Sequence, residues 1–455
     1  MQGLDNNIIE KILEKGKIYE VGGGVRDKSI SPILPDVDKD YLVTGIPLEE
    51  LCQILSKFGK VDLVGKSFGI IKFVPRKKKE ETIQTYDIAL PRKEYSTGVG
   101  HKDFEVDFDE NLRVEDDLAR RDFTINAMAL ELPNEKLIDP LNGRKDIKNR
   151  LVRFTSPQSF KDDPLRMLRG IGFAARFEFE IEKKTYDSLC ENVSLISTVS
   201  MERIQEEINK LLLRAKRPST GFRLMQKSGM LEILFSELEK TVGIDQPGGY
   251  HAYDVFEHSI LSVDYAPVDL TIRLASLFHD ISKPETKFLK ENGSKFYGHD
   301  KKGAKVAEDI LKRLKYSNEI ISTVKLLIDK HMFTTGVTDK GVRRLVNRVG
   351  KENIFKLLDL RRADVEAQGK GGETRDVDEL EQRIRLEMDK KSPFGLKDLE
   401  IDGNDVMEKF NLTPGPKVGK TLKYLLEKVL DEPELNHKDI LLKEAKSFLK
   451  TIQKE

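Results

Sequence analysis

Two aspartates one residue apart, Asp38 and Asp40, follow a turn that reads Val21-Gly22-Gly23-Gly24-Val25-Arg26-Asp27. Residues 17–21 read as a short strand, so the glycines sit at a strand end. Gly22, Gly23 and Gly24 let the backbone approach a ligand closely. Their amides, with the positive start of the next helix, favour a triphosphate. Asp38-Lys39-Asp40-Tyr41-Leu42-Val43 reads as a strand, which puts positions 38 and 40 on one face. Two such carboxylates can hold a pair of Mg2+ ions about 3.5–4 Å apart, one activating an attacking hydroxyl and the other neutralising a leaving pyrophosphate. That is the equipment of nucleotidyl transfer. Asp36/Asp38 also fits the Asp-x-Asp pattern. Asp38/Asp40 is preferred because the apolar strand runs on directly from it, whereas Asp36 follows Pro35 and ends a loop.

Other residues could serve the same chemistry. Strand alternation in Thr85–Leu90 puts Asp87 on one face, where a neighbouring strand can bring it to the first pair; otherwise it is a solvent-facing strand aspartate. In Leu118–Ala129, Asp122 and Asn126 are four apart and share one side of a helix. Aspartate accepts from a sugar hydroxyl and asparagine both accepts and donates, while Arg120 or Arg121 can reach phosphate. Pro164 suits the first turn of a helix with Asp163 as its cap. Asp163 and Arg166 could instead read a base. Cytosine and adenine both place an amine donor beside a ring-nitrogen acceptor, which suits one carboxylate and one guanidinium. Guanine and uracil present the reverse.

The chain has seven histidines, and His251, His258, His279, His299 and His331 fall within 251–331. A random spread would not cluster five of the seven this way. Imidazoles with carboxylates suit a hydrolytic transition-metal site.

The order Gly-Gly-x-Val-Arg-Asp then Asp-x-Asp resembles the class II tRNA nucleotidyltransferase and bacterial poly(A) polymerase family. That resemblance implies a polymerase-beta-like head, with Asp87 as the third acidic residue. Arg120-Arg121-Asp122-x-x-x-Asn126 matches the family's ribose motif. Asp162-Asp163-Pro164-Leu165-Arg166 resembles its amino-acid template, which the family usually writes Glu-Asp-x-x-Arg. Arg169 follows in the same helix, but Gly172 stands where the family usually has arginine. Met201–Leu212 matches a neck helix whose expected role is packing. The polar segment Pro91–His101 lies where the family has a loop that helps switch between adding C and adding A. His279-Asp280 resembles the HD phosphohydrolase motif, with His258, His279, Asp280 and Asp364 implied as metal ligands and His299 and His331 as candidates for a second ion. His251 is the least secure member. In related enzymes this domain implies cyclic phosphodiesterase and phosphatase action on RNA 3′ ends.

Positioning these residues takes several elements. A chain of 455 residues with 38% hydrophobic and 34% charged residues describes a helix-rich protein of about three or four domains. The fold class expected is α+β. Residues 1–140 form a small α/β head, with strands at 70–74 and 82–90 and a helix at 48–57. Residues 141–245 form a helical neck, 246–370 the HD domain and 371–455 a helical tail for tRNA. Helices are expected over 160–175, 200–214, 220–235, 303–316 and 318–330. The hinges are Leu137–Gly143, Gln246–Gly249 and Gln368–Gly372. The glycine and proline turn at 414–419 suits approach to an RNA backbone, or simply joins helices. Zero formal net charge argues against indiscriminate coating of nucleic acid. The run Arg76–Lys79 reads chiefly as a solvated loop. Two distant cysteines imply no disulfide framework and fit a reducing cytoplasm. No leader or membrane span is read from the sequence.

The activity expected is CCA addition to tRNA from CTP and ATP. The alternatives are poly(A) or A-only addition, and a metal phosphohydrolase with a dead transferase head. Leu63–Ile70 lacks the second basic residue and the histidine of the poly(A) signature.

Overall fold

The computed structural model describes residues 3–30, 39–64, 70–76, 85–96, 104–246, 252–290, 293–390 and 392–452. Asp36, Asp38 and His251 lie outside them, as do 65–69, 77–79, 97–101 and 247–249 of the segments read above. The chain divides into two compact units, Met1–Leu234 and Phe235–Glu455.

The first unit is built on a sheet. Its strands in chain order are β1 (Lys17–Val21), β2 (Asp40–Thr44), β3 (Gly59–Val64), β4 (Ile70–Pro75) and β5 (Tyr86–Ala89). They are followed by β6 (Arg92–Ser96), β7 (Phe104–Phe108), β8 (Ala129–Glu131) and β9 (Lys136–Ile138). Seven of them form one sheet in the order β3-β4-β5-β2-β1-β8-β9, while β6 and β7 pair separately as a hairpin. Within that sheet β2 and β5 run parallel and the other neighbours antiparallel. Tyr41, Leu42 and Val43 are apolar in a row because β2 is covered on both faces. Tyr41 and Val43 pack with Ile8, Ile12, Leu51 and Leu55 of the helices Asn6–Leu13 and Leu48–Ser56. Leu42 points the other way, to Tyr19, Val21, Val114 and Leu118. Asp40 stands at the rim where this apolar run begins.

Beyond the sheet the unit is helical, with Leu165–Phe177, Met201–Arg214 and Pro218–Lys227 as its long pieces. Three expected helices are broken, the one at 160–175 by an extended Asp163 that separates Ser159–Asp162 from Leu165–Phe177. The one at 220–235 stops at Lys227 and resumes at Met230, because Gly229 takes φ +79, the left-handed geometry that ends helices. The one through 118–129 ends with Ala119, and a single 3-10 turn, Thr124–Asn126, follows an extended Phe123. The sequence reading did not anticipate the pairings of Leu151–Val152 with Glu180–Ile181, Lys287–Lys290 with Gly293–Phe296, β8 with β9, or β6 with β7, and β6 lies within the segment 91–101 read as a loop.

Among its described residues the second unit is helical apart from the hairpin of Lys287–Lys290 with Gly293–Phe296. Val255–Tyr265, Leu270–Phe278, His299–Arg313, Asn318–Lys330 and Ile354–Glu366 form its first layer of helices. Gly403–Phe410, Pro416–Asp431 and Lys438–Ile452 enclose a separate core of Val406, Leu425, Val429, Leu441 and Ala445. No helix among the described residues is long and apolar enough to cross a membrane.

Candidate functional site

The parallel register of β2 and β5 sets Asp87 beside Asp40, and β1 brings Val21 alongside Asp40 from the other side. The glycine turn therefore begins next to two carboxylates. Gly22 has φ +74, and a Cβ there would lie 3.4 Å from Asp40 Oδ2 and 3.2 Å from Arg121 Nη1. Only glycine both accepts that backbone and leaves this space open. Gly23 and Gly24 open the helix Gly23–Ile30. Adjacent aspartates at a strand end, beside a glycine turn, fit divalent cations.

Asp117, which the sequence reading passed over, organises the arginine pair. It is fully buried and accepts from Arg120 Nε at 3.0 Å and Arg121 Nη2 at 3.2 Å. Burial pushes its carboxyl up, but Arg121 and Arg120 outweigh this and hold it below the ordinary range. The signal was present as i,i+3 and i,i+4 spacing from Asp117. Both guanidiniums remain partly exposed, and Arg121 Nη1 borders the same space at Gly22 as Asp40 Oδ2.

Asp122 and Asn126 meet as expected, across the 3-10 turn instead of along a helix, with Asn126 Nδ2 donating to Asp122 Oδ1 at 2.9 Å. Phe123 N donates to the same oxygen at 2.8 Å, and Arg169 Nε and Nη2 donate to Oδ2 at 2.9 and 2.7 Å. Those bonds use the carboxylate's acceptor capacity. In this geometry Asp122 holds Asn126 and Arg169. Arg169 also reaches Glu207 at 3.5 Å, and Lys210 donates to Glu207 at 2.7 Å. Arg26, expected at the nucleotide, is buried. It donates to Asp27 at 2.7 Å and Asn126 at 2.6 Å, against the rings of Phe173 and Phe177. The glycine turn, the Thr124–Asn126 turn and the Leu165–Phe177 helix are thus tied by one polar network.

Asp163 is extended, and its Oδ1 accepts from Leu165 N at 3.2 Å, so the capping expectation is met. Its Oδ2 also accepts from Arg203 Nη2 at 2.9 Å. Arg166 donates to Ser159 Oγ at 3.0 Å and Arg120 O at 3.1 Å. Asp163 and Arg166 are both half-buried at the start of the Leu165–Phe177 helix. The 201–212 helix does more than pack: Arg203 and Glu207, one turn apart, hold Asp163 and Arg169. A Cβ at Gly172 would meet nothing within 4 Å, so the arginine usual there has left open space.

Gly143 carries a stability prediction. A Cβ there would lie 2.1 Å from Thr124 O and 3.0 Å from Met128 Cγ. A backbone carbonyl cannot rotate away, so Gly143→Ala must shift the Thr124–Asn126 turn. Urea denaturation should show a loss of roughly 1–3 kcal/mol, the usual cost of overpacking.

In the second unit all six candidate ligands converge as two triads, His258/His279/Asp364 and Asp280/His299/His331, every member buried. Each histidine is oriented by a backbone carbonyl at its Nδ1. His258 meets Ala367 O at 3.3 Å, His279 Ser276 O at 2.8 Å, His299 Phe296 O at 2.7 Å and His331 Ile328 O at 2.6 Å. A carbonyl only accepts, so a proton sits on each Nδ1 and each Nε2 faces inward, where a ring in its neutral form offers a lone pair, the arrangement of metal-binding imidazoles. Burial opposes a charge on His279, yet Asp280 and Asp364 outweigh it and pull its pKa up to about 10. Both carboxyls lie well below the usual range despite burial, held there by the histidines and, for Asp280, by Lys283. Such a cage attracts cations, and its donor set fits a transition metal.

Family models and known proteins match this chain over most of its length. Residues 18–153 match the family model of the poly A polymerase head domain. Residues 178–241 match a model described as an RNA and SrmB binding site of polymerase A, and 300–445 one for tRNA nucleotidyltransferase domain 2. The chain is 35% identical over 350 residues to a multifunctional CCA protein of Shewanella denitrificans, covering 75% of this chain and 80% of that one. It is 33% identical over 331 residues to an A-adding tRNA nucleotidyltransferase of Deinococcus radiodurans, covering 69% and 75%. Among solved structures, the Bacillus stearothermophilus CCA-adding enzyme in complex with CTP aligns with a TM-score of 0.71 at 21% identity, over 98% of this chain and 97% of that one. The latter likeness is one of fold.

Proposed function

The chain belongs to the class II CCA-adding enzyme and poly(A) polymerase family of nucleotidyltransferases, and from that premise we propose that it adds C, C and A to the 3′ end of tRNA from CTP and ATP. The observation that supports this most is the β2/β5 register, which sets Asp87 against Asp40 at the mouth of the glycine turn. In this reading Asp38, Asp40 and Asp87 hold Mg2+, which when bound activates the tRNA 3′-hydroxyl and neutralises pyrophosphate. Gly22, Gly23 and Gly24 admit the triphosphate. Arg120 and Arg121 face its phosphates, and Asn126, held by Asp122 and Arg26, positions the ribose. Asp163 and Arg166 select the base, with Arg169 supporting them. GTP or UTP would leave both selecting groups mispaired, at about 1–3 kcal/mol each.

The four-part division at 140, 245 and 370 belongs to the same proposal, with the tail as a tRNA contact. So does a metal-dependent phosphohydrolase activity of the histidine cage on RNA 3′ ends, in a cytoplasmic setting that suits the free Cys52 and Cys190. A second reading, A-only addition, is favoured by the similarity to the Deinococcus A-adding enzyme.

The test offers each NTP separately to tRNAs ending before C, after the first C and after CC. Incorporation of CTP, CTP and then ATP, stopping at CCA, is expected. ATP accepted only after CC, with no CTP incorporated on any substrate, would replace this reading with A addition. A long A tail would replace it with poly(A) synthesis.

A further inference from the structure

We propose that Asp117 is a positioning residue that holds Arg121 off the carboxylates of Asp40 and Asp87 and so keeps their cation site open, an inference that rests on the metal reading of those two aspartates given above.

The fold places unlike charges close together at this point. Asp40 and Asp87 stand side by side through the β2/β5 register, and a guanidinium borders them. One point at Gly22, the place a Cβ would take, lies 3.2 Å from Arg121 Nη1 and 3.4 Å from Asp40 Oδ2. Opposite charges across so small a space attract, and an arginine fork matches a carboxylate in shape. A fork closed on Asp40 would take the oxygen lone pairs that a divalent ion needs.

Asp117 occupies the other edge of that fork. Arg121 Nε and Nη2 donate to its Oδ2 at 3.4 and 3.2 Å, while Arg120 Nε and Nη2 donate to its Oδ1 at 3.0 and 2.5 Å. The Asp117 carboxylate is fully buried, where hydrogen bonds to a charge are stronger than in water. The backbone of Arg121 is fixed as well. Its N donates to Leu118 O at 3.2 Å, and its carbonyl accepts from Thr155 Oγ1. With Nε and Nη2 committed to Asp117, Nη1 is the nitrogen left toward Gly22 and Asp40. It can meet an arriving phosphate there while the fork stays on Asp117.

Charge alone does not account for the arrangement. Two arginines and one carboxylate keep one net positive charge, which a lone arginine would supply equally. What the buried carboxylate adds is direction. It fixes which edge of Arg121 faces the aspartates and how far the guanidinium can travel.

The test measures Mn2+ binding to the full-length protein without nucleotide, from the free-ion signal in electron paramagnetic resonance. The ion of the head is the one lost in Asp40→Ala. Asp117→Asn keeps the shape and removes the charge, and should weaken that ion about fivefold, the closing factor of a good exposed guanidinium–carboxylate pair. Adding Arg121→Gln to Asp117→Asn should restore the affinity of the Arg121→Gln single variant. Adding Arg120→Gln instead gives the same net charge but leaves Arg121 loose, so binding should stay weak. Recovery in both double variants would assign the effect to through-space charge, and recovery in neither to a disturbed fold; either result overturns the restraint. So would Asp117→Asn binding Mn2+ as tightly as the parent. If Asp40→Ala lost no ion, the metal reading itself would fall. Crystals of the parent protein grown with a chelator decide the matter if Asp117→Asn fails to fold. Arg121 should still lie on Asp117 there, and Arg121 closed on Asp40 or Asp87 would overturn the proposal.

Discussion

Asp40→Ala lowers nucleotidyl transfer by about three orders of magnitude or more, measured as single-turnover extension of tRNA at saturating CTP and ATP. The magnitude follows from charge. A divalent ion at a transferring phosphate supplies several kcal/mol of transition-state stabilisation, and each 1.36 kcal/mol is a factor of ten in rate. Losing about 4 kcal/mol therefore costs roughly 10³. The fold should survive, because Asp40 is only half-buried at the end of β2, and the strand is held by Tyr41, Leu42 and Val43. Thermal melting of the variant should match the parent within a few degrees. Asp87→Asn keeps the shape of the neighbouring side chain and removes its charge, so it should fail in the same assay. If transfer by Asp40→Ala were undiminished, the catalytic reading of the glycine turn would fall.

Much of this site was legible because its spacing is local. The strand at 17–21 was legible before the glycines, but its antiparallel register against the strand at Asp40 was not anticipated. The Asp87 face was legible from alternation, and its pairing with Asp40 was offered as one of two outcomes. What escaped depends on distant sequence. Arg203 reaches Asp163 across 40 positions and Arg26 reaches Asn126 across 100, separations that periodicity does not encode. The break after Ala119 escaped for a different reason. Residues 118–129 keep a helix-like pattern, but buried Phe123 adopts an extended backbone and bridges to Phe154, a tertiary pairing that overrides local propensity. The histidine cage was legible as a set of residue types. The four carbonyls that fix its rings were not, since backbone acceptors leave no mark in a sequence.

Asp122→Ala should destabilise the first unit by roughly 3 kcal/mol at neutral pH, read from urea denaturation. Removing one partner of a buried ion pair leaves the other charge uncompensated, which typically costs about 3–5 kcal/mol. The lower end applies because Arg169 is about one-third exposed, at 32%, and keeps Glu207 as a partner. Acid should mimic the substitution. Burial pushes the Asp122 carboxyl up, but Arg169 and the bond from Asn126 outweigh it, and its folded value lies below the ordinary one. A depressed carboxylate gives stability that is complete above the unfolded value, near pH 3.9, and is lost as pH falls through the folded value. The parent should therefore lose stability below about pH 4, and Asp122→Ala should lose less over the same interval. A double-mutant cycle with Arg169→Ala separates the pair from its surroundings, and coupling near zero would show that the two side chains act independently. Function should follow the same network. Asn126 loses a donor's target and Arg169 its anchor, so the surviving folded enzyme should bind both CTP and ATP less tightly, whereas a purely structural loss would lower the active fraction and leave KM unchanged.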